Sequence, residues 1–192
     1  MIYKAAPSST RAPDPRPART RAAILSAIER LGREGKELSV SQVVSEASLS
    51  RSSFYSQFTD IGNVAVQLFR EFYEQSSPAS ELLEQPQTLA EATTTLLTEF
   101  NSKRYLYAAV LGSSAAVSAE WEVCEIIANA WTPIIAKQAP THVSAEFAAV
   151  HLASGHLACI VTWLRSEKPA SFEEIETQLH DMLPAWVEAA TV

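Results

Sequence analysis

The sequence of 192 residues predicts an all-α protein. Apolar residues recur three and four positions apart along most of its length, which is the spacing of helices that bury one face. Serine or threonine followed three residues later by glutamate or glutamine precedes several of these stretches, a pattern typical of helix starts. No stretch shows the alternation expected of strands, and hydrophobic residues make up 47% of the chain, which favours a globular protein.

The N-terminal region is basic and begins with a proline-rich segment. Residues 1–18 hold four of the ten prolines, with serine, threonine and arginine between them, which predicts a flexible basic arm. From Thr20 apolar residues recur at helical spacing as far as Gly32 and Gly35, so we expect the first helix there. Positions 1–60 contain nine Lys and Arg against six Asp and Glu, whereas positions 61–192 contain six against sixteen. Any contact with phosphates is therefore expected in the first 60 residues.

Two short helices separated by a tight turn are predicted next. Ser39 and Gln42 have the capping-box pattern, which indicates a helix over Val40–Ala47. Ser50 is a good N-cap and opens a third helix over Arg51–Phe58. With a turn of only about three residues between them, the two helices form a helix-turn-helix.

Six further helical segments are predicted after residue 60. They are Ile61–Gln75, Thr88–Phe100, Arg104–Leu111, Ala119–Lys137, Val143–Arg165 and Ser171–Ala190. Pro133 is expected to kink or end its helix, and Pro184 to bend the last one. The segment Val143–Arg165 is apolar nearly all round, so we expect it to be covered on most sides. The chain thus divides into an arm (1–18), a helix-turn-helix domain (19–60) and a helical body (61–192).

The sequence offers no pattern typical of catalysis, metal binding or a nucleotide cofactor. Its five glycines are too scattered for a phosphate-binding loop, and the four histidines lack metal-ligand spacing. The motif LGSSA lacks the second glycine of a nucleophile elbow. The most apolar run, around Leu157–Val161, is far shorter than the roughly 20 residues that span a bilayer. We therefore expect a cytoplasmic protein that is not an enzyme and has no cofactor, metal or membrane partner; the unpatterned Cys124 and Cys159 fit a reducing compartment.

The stretch SLSRSSFYSQF combines five serines with two aromatic residues one helical turn apart. On a helix, Phe54 and Phe58 share one face and pack inward, while small hydroxyl side chains cover the other. Short side chains let a helix approach a partner closely, and the major groove of DNA admits one helix. Arg51 is able to make a bidentate contact with guanine. The alternative interpretation is a serine-rich surface helix on which Tyr55 is half-buried packing.

Residues 20–73 resemble the DNA-binding domain of the tetracycline-repressor (TetR) family. The resemblance depends most on Ser39–Ala47 followed by Ser50–Phe58, and the Phe54-Tyr55-x-x-Phe58 pattern is its most specific part. It implies a transcriptional regulator, most readily a repressor, that binds a near-palindromic double-stranded operator as a homodimer. Successive recognition helices would then lie about 34 to 36 Å apart, or at a wider variant of that spacing. The implied DNA contacts are Ser39, Ser53 and Tyr55 on phosphates, Ser41, Arg51, Ser52, Ser56 and Gln57 on bases, and the N-cap Ser50.

Two positions depart from the family pattern. Ser48 stands at a turn position that is commonly glycine, which predicts a strained or altered turn. Ile61 stands where many members place a phosphate-binding lysine at the start of the fourth helix. We expect Arg19, Arg21 or the basic arm to take over that contact.

The resemblance also implies an unidentified small-molecule effector among the central helices and a dimer formed by the last two helices. The candidate pocket residues are Phe69, Phe72, Tyr73, Phe100, Tyr107, Trp121, Trp131, Phe147 and His151. The candidate dimer residues are Leu157, Ile160, Val161, Leu164, Ile175, Leu179, Met182 and Trp186. Aromatic residues at helical spacing also suit a plain core, so both interpretations of the first set stay open. A second hypothesis for the whole chain is a dimeric ligand-binding or interaction module with a degenerate helix-turn-helix and no DNA function.

Overall fold

The computed structural model describes residues 15–75, 88–113 and 117–187, and every regular element in those ranges is an α-helix. The helices are α1 (Arg16–Arg33), α2 (Val40–Glu46), α3 (Arg51–Tyr55), α4 (Ile61–Gln75), α5 (Leu89–Ser102), α6 (Arg104–Leu111), α7 (Val117–Gln138), α8 (Ala145–Arg165) and α9 (Phe172–Asp181). The predicted all-α fold class is confirmed. The flexible arm stays a prediction, because residues 1–14 lie outside the described ranges.

Helix α1 begins earlier than the sequence suggested, at Arg16 instead of Thr20. Pro17 lies in its first turn, where backbone N–H groups have no acceptor within the helix. A residue without an N–H group is tolerated there, and its fixed φ suits a helix. Residues 16–18, assigned to the arm from the sequence, therefore belong to α1.

Helices α1, α2 and α3 pack on one another through buried apolar side chains. Ile24 and Ile28 of α1, Val43 of α2 and Phe54 of α3 are fully buried, and Phe58 just beyond α3 is 1% exposed. The centroids of the Phe54 and Phe58 rings lie 5.8 Å apart. This confirms the inward face predicted for the two aromatics.

The three-helix unit is docked on the body through α1 and α4. Gly32 of α1 approaches α6 so closely that an added Cβ would lie 2.3 Å from the carbonyl oxygen of Tyr105. The neighbouring Arg33 guanidinium lies 4.4 Å from the centroid of the Tyr105 ring. Helix α4, which has the bounds predicted for it, contacts both α6 and α7. The helix-turn-helix is thus held against the body by two helices.

Local capping signals position two of the body helices. Thr88 and Glu91 form a reciprocal capping box at the start of α5, and Ser171 and Glu174 form one at the start of α9. Both were expected from the sequence. Helix α5 packs on α9, while α7 packs along α8.

Proline affects α7 and α9 differently. Helix α7 continues through Pro133. The proline has no N–H group to donate to the carbonyl of Asn129, but both residues are exposed, so water is able to donate to that carbonyl instead. Helix α9 ends at Asp181 instead of reaching Ala190 with a bend. Pro184 has no N–H group and disfavours helical backbone in the residue before it, so the predicted continuation is wrong.

Helix α8 is covered on part of its circumference only. By length and composition alone α8 could span a membrane. The core helix of a soluble protein meets the same criteria, and 44% of the most apolar window of α8 is buried. The expectation that no apolar run reaches such a length is wrong, because alanine, glycine, serine and threonine extend the run. Phe147 is 81% exposed and Val150 is 43% exposed. The prediction that this helix is covered on most sides is therefore also wrong for the protomer.

Candidate nucleic-acid interface

The turn between α2 and α3 closes α2 with a Schellman motif at Ser48. The amide of Leu49 donates to the carbonyl of Val44 at 2.8 Å, and the amide of Ser48 donates to the carbonyl of Ser45 at 3.2 Å. Ser48 has a φ of 54°, the left-handed region in which glycine is usual. The strained turn predicted at Ser48 is therefore present.

Helix α3 is shorter than predicted, because it covers Arg51–Tyr55 and stops before Phe58. Its start is as expected: Ser50 Oγ accepts a hydrogen bond from the amide of Ser53 at 3.1 Å. At the other end, Ser56 Oγ donates to the carbonyl of Ser53 at 2.8 Å. Side-chain bonds of this kind compete with the backbone bonds that extend a helix. A little more than one helical turn therefore carries the candidate contacts.

Hydroxyl groups gather at the start of α3. Ser50 Oγ lies 2.8 Å from both Ser52 Oγ and Ser53 Oγ. Tyr55 is 57% exposed, and its ring meets Phe54 edge-on with centroids 5.6 Å apart. Packing thus fixes one side of the tyrosine and leaves the larger part of its surface open to a partner.

A hydrogen bond joins the candidate base-reading residues of the two helices. Arg51 Nη2 donates to Ser41 Oγ at 2.6 Å. At the start of α2, Ser39 Oγ accepts from the amide of Gln42 at 3.3 Å and donates to Gln42 Oε1 at 2.6 Å, so the predicted capping box is only half formed. Gln57 Nε2 donates to Ser56 Oγ at 3.3 Å. The structure thus connects Ser41 with Arg51.

Arg21 is partly buried and paired with two side chains of α4. Its guanidinium donates to Gln67 Oε1 at 2.8 Å and to Glu71 Oε1 at 2.7 Å, and it lies 4.8 Å from the centroid of the Phe58 ring. This pairing makes Arg21 a poorer candidate for a phosphate contact than an unpaired arginine would be. Ile61 is 5% exposed and belongs to the core. Arg19 stays exposed on α1 and is the better candidate.

No protein-family model matches the chain, and no curated protein matches it by sequence. Solved structures do match over nearly its whole length. The structure of the fatty acid degradation regulator FadR from Bacillus halodurans matches with a TM-score of 0.57 and 13% sequence identity. The match covers 90% of this chain and 96% of the FadR chain. The dihydroxyacetone kinase operon activator DhaS matches with a TM-score of 0.52 and 15% sequence identity. That match covers 88% of this chain and 97% of the DhaS chain.

This chain shares the all-helical fold of these two proteins. At these identities the likeness concerns the fold alone. The TetR family repressor AlkX from Dietzia sp. is 20% identical and covers 84% of this chain and 95% of its own, but its TM-score of 0.39 is too low to carry weight.

Part of the candidate effector pocket is a packed aromatic core. Phe69 and Phe100 are fully buried with centroids 4.8 Å apart, and both lie within 5.2 Å of the Tyr107 ring. Tyr107 donates its hydroxyl hydrogen to Glu99 Oε1 at 2.6 Å, and Lys103 Nζ donates to the same oxygen at 2.6 Å. Burial, together with the Glu99 carboxylate, raises the pKa of Tyr107. The core interpretation is favoured for Phe69 and Phe100.

Three of the candidate pocket residues lie on the surface of the helical body. Trp121 is 57% exposed, Phe147 is 81% exposed, and His151 is exposed as well. The pocket assignment is wrong for these three, because the helical spacing that selected them gives a period and not the side that faces the core. Phe72 and Tyr73 are half-buried, whereas Trp131 is 1% exposed.

Five of the predicted dimer residues are buried inside the protomer. They are Leu157, Ile160, Leu164, Ile175 and Leu179. A side chain that its own protomer covers is not available to a second copy, so the prediction is wrong for these five. Val161, Met182 and Trp186 keep exposed surface. The exposed stripe of α8 consists of Phe147, Val150, His151, Ser154, Gly155, Ala158 and Thr162.

Sequence reasoning missed His156, which is 4% exposed on the inner side of α8. Its Nδ1 lies 2.8 Å from the carbonyl oxygen of Leu152. Burial lowers the pKa of His156. The residue stands four positions after Leu152 and four before Ile160, so the helical period could have placed it inward. In the described ranges, no group of histidine, cysteine and acidic residues is arranged to hold a metal ion.

Proposed function

We propose that this protein is a DNA-binding transcriptional regulator, a repressor that binds a near-palindromic operator as a homodimer and leaves it when an effector binds. The observation that carries the proposal is the two-sided character of α3. Its exposed face carries hydroxyl groups and Arg51, and the opposite face is fixed by a buried pair of phenylalanines. Two proteins of the same fold support the regulatory role, though not the sign of regulation, by their names: FadR is a regulator of fatty acid degradation and DhaS is an operon activator.

The chemistry of α3 suits the major groove. Its serine side chains are short, so the backbone is able to come close to base edges while hydroxyls donate to or accept from them. Arg51 has five donors and uses one of them on Ser41, which leaves the guanidinium oriented and still able to bind guanine. We assign phosphate contacts to Ser39, Ser53 and Tyr55. Arg19 supplies the positive charge that Arg21 does not.

A second copy of the chain is the partner that we propose for the exposed stripe of α8. No charged residue occurs from Phe147 to Leu164, so the protomer alone leaves a long apolar face in water. Ser154, Gly155 and Ala158 are small and permit close approach of two helices. A twofold axis brings such a stripe onto itself. The stripe also holds histidine, serine and threonine, which fit a protein partner better than lipid tails.

Hydrogen bonds connect the end of α3 to α4 and α1. Gln67 Nε2 donates to the carbonyl of Gln57 at 3.1 Å and to Asn63 Oδ1 at 2.9 Å. Gln67 Oε1 accepts from Arg21, which also pairs with Glu71 one turn further along α4. A tilt of α4 caused by an effector would therefore displace α3. Coupling of this kind is typically about 1 to 3 kcal/mol, which changes operator affinity roughly 5- to 150-fold.

Selection of binding sites from a pool of randomised DNA duplexes tests the proposal. We expect enrichment of an inverted repeat with half-sites about one helical turn apart or at a wider variant of that spacing. Arg51→Ala should relax the enriched sequence at one base pair of each half-site. Arg70→Ala, which removes an equal charge from an exposed side chain of α4, is the matched control and should keep it. A folded protein that enriches no sequence would contradict the proposal.

The second candidate function is a ligand-binding or interaction module without DNA binding. The observations that favour it are the burial of Ile61 and the internal pairing of Arg21, which remove two expected phosphate contacts. Such a module would form the same α8 dimer but would enrich no DNA sequence. The selection therefore separates the two candidates.

A further inference from the structure

The last turn of α1 makes contacts on two sides. Toward the helix-turn-helix, Arg30 Nε donates to Glu46 Oε1 of α2 at 2.6 Å, and Arg30 Nη2 donates to the carbonyl of Glu46 at 3.3 Å. Toward the body, Gly32 and Arg33 lie against α6. The end of α1 therefore connects α2 with the body by a route that does not include α4.

The contact between α1 and α6 is a close approach of two backbones. A Cβ added at Gly32 would lie 2.3 Å from the carbonyl oxygen of Tyr105 and 3.0 Å from the Cβ of Ala109. Carbon atoms and carbonyl oxygens usually stay at least about 3.3 Å apart, so a side chain at position 32 would part the helices by about 1 Å. A backbone oxygen in a helix cannot turn aside as the end of a flexible side chain can. Glycine at position 32 thus permits this packing.

A second contact lies beside Gly32 and is more exposed. The Arg33 guanidinium lies 4.4 Å from the centroid of the Tyr105 ring, which is a cation–π distance. Arg33 Nη2 also donates to Glu29 Oε1, one turn earlier on α1, at 2.6 Å. Tyr105 is 41% exposed, so its ring is able to be removed without opening the core.

On its other side, α6 is fixed to α8, the helix that carries the proposed dimer face. Arg104 Nη2 donates to the carbonyl of Trp163 at 3.2 Å, and the guanidinium lies 4.2 Å from the centroid of the Trp163 ring. Trp163 is 5% exposed, and its Nε1 donates to the carbonyl of Ala170 at 2.8 Å, which holds the ring in place. The adjacent residues Arg104 and Tyr105 therefore connect α8 with α1. A continuous series of contacts leads from the proposed dimer face to the helix-turn-helix.

We propose that Gly32 and Tyr105 determine which half-site spacing the protein accepts in an operator. Helix α4 and the α1–α6 contact attach the helix-turn-helix to the body at two places. With α4 alone the unit would be free to swing, whereas the second attachment fixes its orientation. The two copies of α3 in a dimer then stand at one separation, and an operator must match it to be bound at both halves. This role rests on the proposed function, for which it names the contact that selects the operator.

Operators of different lengths test the role. The selected duplex is compared with duplexes that carry one or two extra base pairs between the half-sites, and each extra pair moves a half-site by about 3.4 Å and turns it by about 35°. We expect the unmodified protein to bind the selected duplex at least about tenfold more tightly than either lengthened one, because rigid units engage only one half-site of a lengthened duplex. Gly32→Ala and Tyr105→Ala should reduce this ratio to about threefold or less.

The matched control is Glu29→Gln, which removes the other partner of Arg33 and leaves the contact with α6 in place. This variant should keep the ratio of the unmodified protein. Each ratio compares two duplexes on one protein preparation, so a general loss of stability does not change it. Should Gly32→Ala fail to fold, Tyr105→Ala decides, because its side chain is partly exposed.

A measurement without DNA follows the orientation of the unit inside one protomer. Spin labels are attached at Ser45→Cys on α2 and Asn129→Cys on α7, both exposed positions, after Cys124→Ala and Cys159→Ala remove the native thiols. An excess of unlabelled chain suppresses distances between protomers. Pulsed electron paramagnetic resonance should give one narrow distribution of the distance between the labels. The two contact variants should broaden or shift it, and the control should not.

The two measurements distinguish failure of this role from failure of the proposed function. An unchanged ratio of affinities, or an unchanged distance distribution, in Gly32→Ala and Tyr105→Ala would overturn the role and retain the regulator. A broadened distribution in a protein that enriches no duplex would retain the contact between α1 and α6 as the one that orients the unit. It would reject the regulator and, with it, the selection of operator spacing.

Discussion

Arg51 Nη2 donates to Ser41 Oγ across 2.6 Å, and this bond joins α2 and α3 on the exposed side of the helix-turn-helix. Both residues stand at positions where base contacts are expected. The bond holds the guanidinium in one direction before DNA arrives, which reduces the conformational entropy lost on binding.

Replacing Arg51 and Tyr55 separately should distinguish base contacts from phosphate contacts. We expect Arg51→Ala to weaken binding of the selected duplex by about 1 to 3 kcal/mol and to relax the preference at one base pair. Tyr55→Phe should weaken all duplexes alike, because a phosphate carries no sequence information. Fluorescence anisotropy on the selected duplex and on single-base variants measures both effects. Equal losses on all sequences for Arg51→Ala would contradict its role as a base reader.

Exchanging serine and glycine at two helix ends should change stability in opposite directions. Gly35 ends α1 in a Schellman motif, as Ser48 ends α2. The amide of Lys36 donates to the carbonyl of Leu31, and the amide of Gly35 donates to the carbonyl of Gly32, each at 3.1 Å. The φ angles are 64° at Gly35 and 54° at Ser48. Since the left-handed region suits glycine, Ser48→Gly should raise the free energy of unfolding by about 1 kcal/mol and Gly35→Ser should lower it by about as much. Urea denaturation measures both, and a loss of stability in Ser48→Gly would contradict the strain assigned to this turn.

Arg19 and Arg21 should affect different properties. Arg21 is paired with Glu71 and Gln67, so Arg21→Ala should lower the free energy of unfolding by about 1 to 2 kcal/mol and leave the salt dependence of DNA binding unchanged. Arg19→Ala should leave stability within about 0.5 kcal/mol of the unmodified protein. It should reduce the salt slope by about 1 for each phosphate contact removed. A salt slope reduced by Arg21→Ala and unchanged by Arg19→Ala would show that Arg21 leaves its internal partners to bind phosphate.

Protonation of His156 should make stability depend on pH. Burial lowers its pKa in the folded protein, and positive charge on His180 and His151 lowers it further. The unfolded chain therefore binds the proton more readily, so stability is full above the ordinary pKa of about 6.5 and falls as the pH drops below it. His156→Phe should flatten the decline between pH 7.5 and 5.5 in urea denaturation. His142→Gln, at an exposed histidine, is the matched control and should leave the decline unchanged.

A charge in the exposed stripe of α8 should separate the dimer. Ala158→Arg places a long cation where two small faces are proposed to meet, so we expect the mass measured by light scattering to fall from two chains to one. Asn129→Arg on the exposed side of α7 controls for the added charge. A dimer that survives Ala158→Arg would place the interface elsewhere.

The starts of α5 and α9 could be predicted from the sequence because their signals are local. Thr88 with Glu91 and Ser171 with Glu174 specify their caps within three residues, and the structure forms both. The unusual turn at Ser48 was expected from the family resemblance, because that position is commonly glycine, and the structure gives Ser48 a left-handed φ. The pairing of Arg21 could not be predicted, because its acceptors lie 46 and 50 positions away.

The side that a helix turns inward was harder to predict than its position. In α8 the apolar residues run all round, so the sequence does not distinguish buried Leu157 from exposed Val150. Packing against α7 makes that choice, which is why the dimer residues were assigned to the wrong face. Trp121 and Trp131 show the same limit, since both are aromatic residues on α7 and only Trp131 is buried.

The salt dependence of binding to a selected duplex and to a scrambled one tests most directly whether α3 and the arginines around it form a DNA-reading surface. The account predicts that the logarithm of the association constant falls linearly with the logarithm of salt, with a slope of about −2 or steeper, because each neutralised phosphate contributes about −0.9. It also predicts that the selected duplex binds at least about 10³-fold more tightly than the scrambled one at physiological salt. A slope near zero, or equal affinity for the two duplexes, would contradict it.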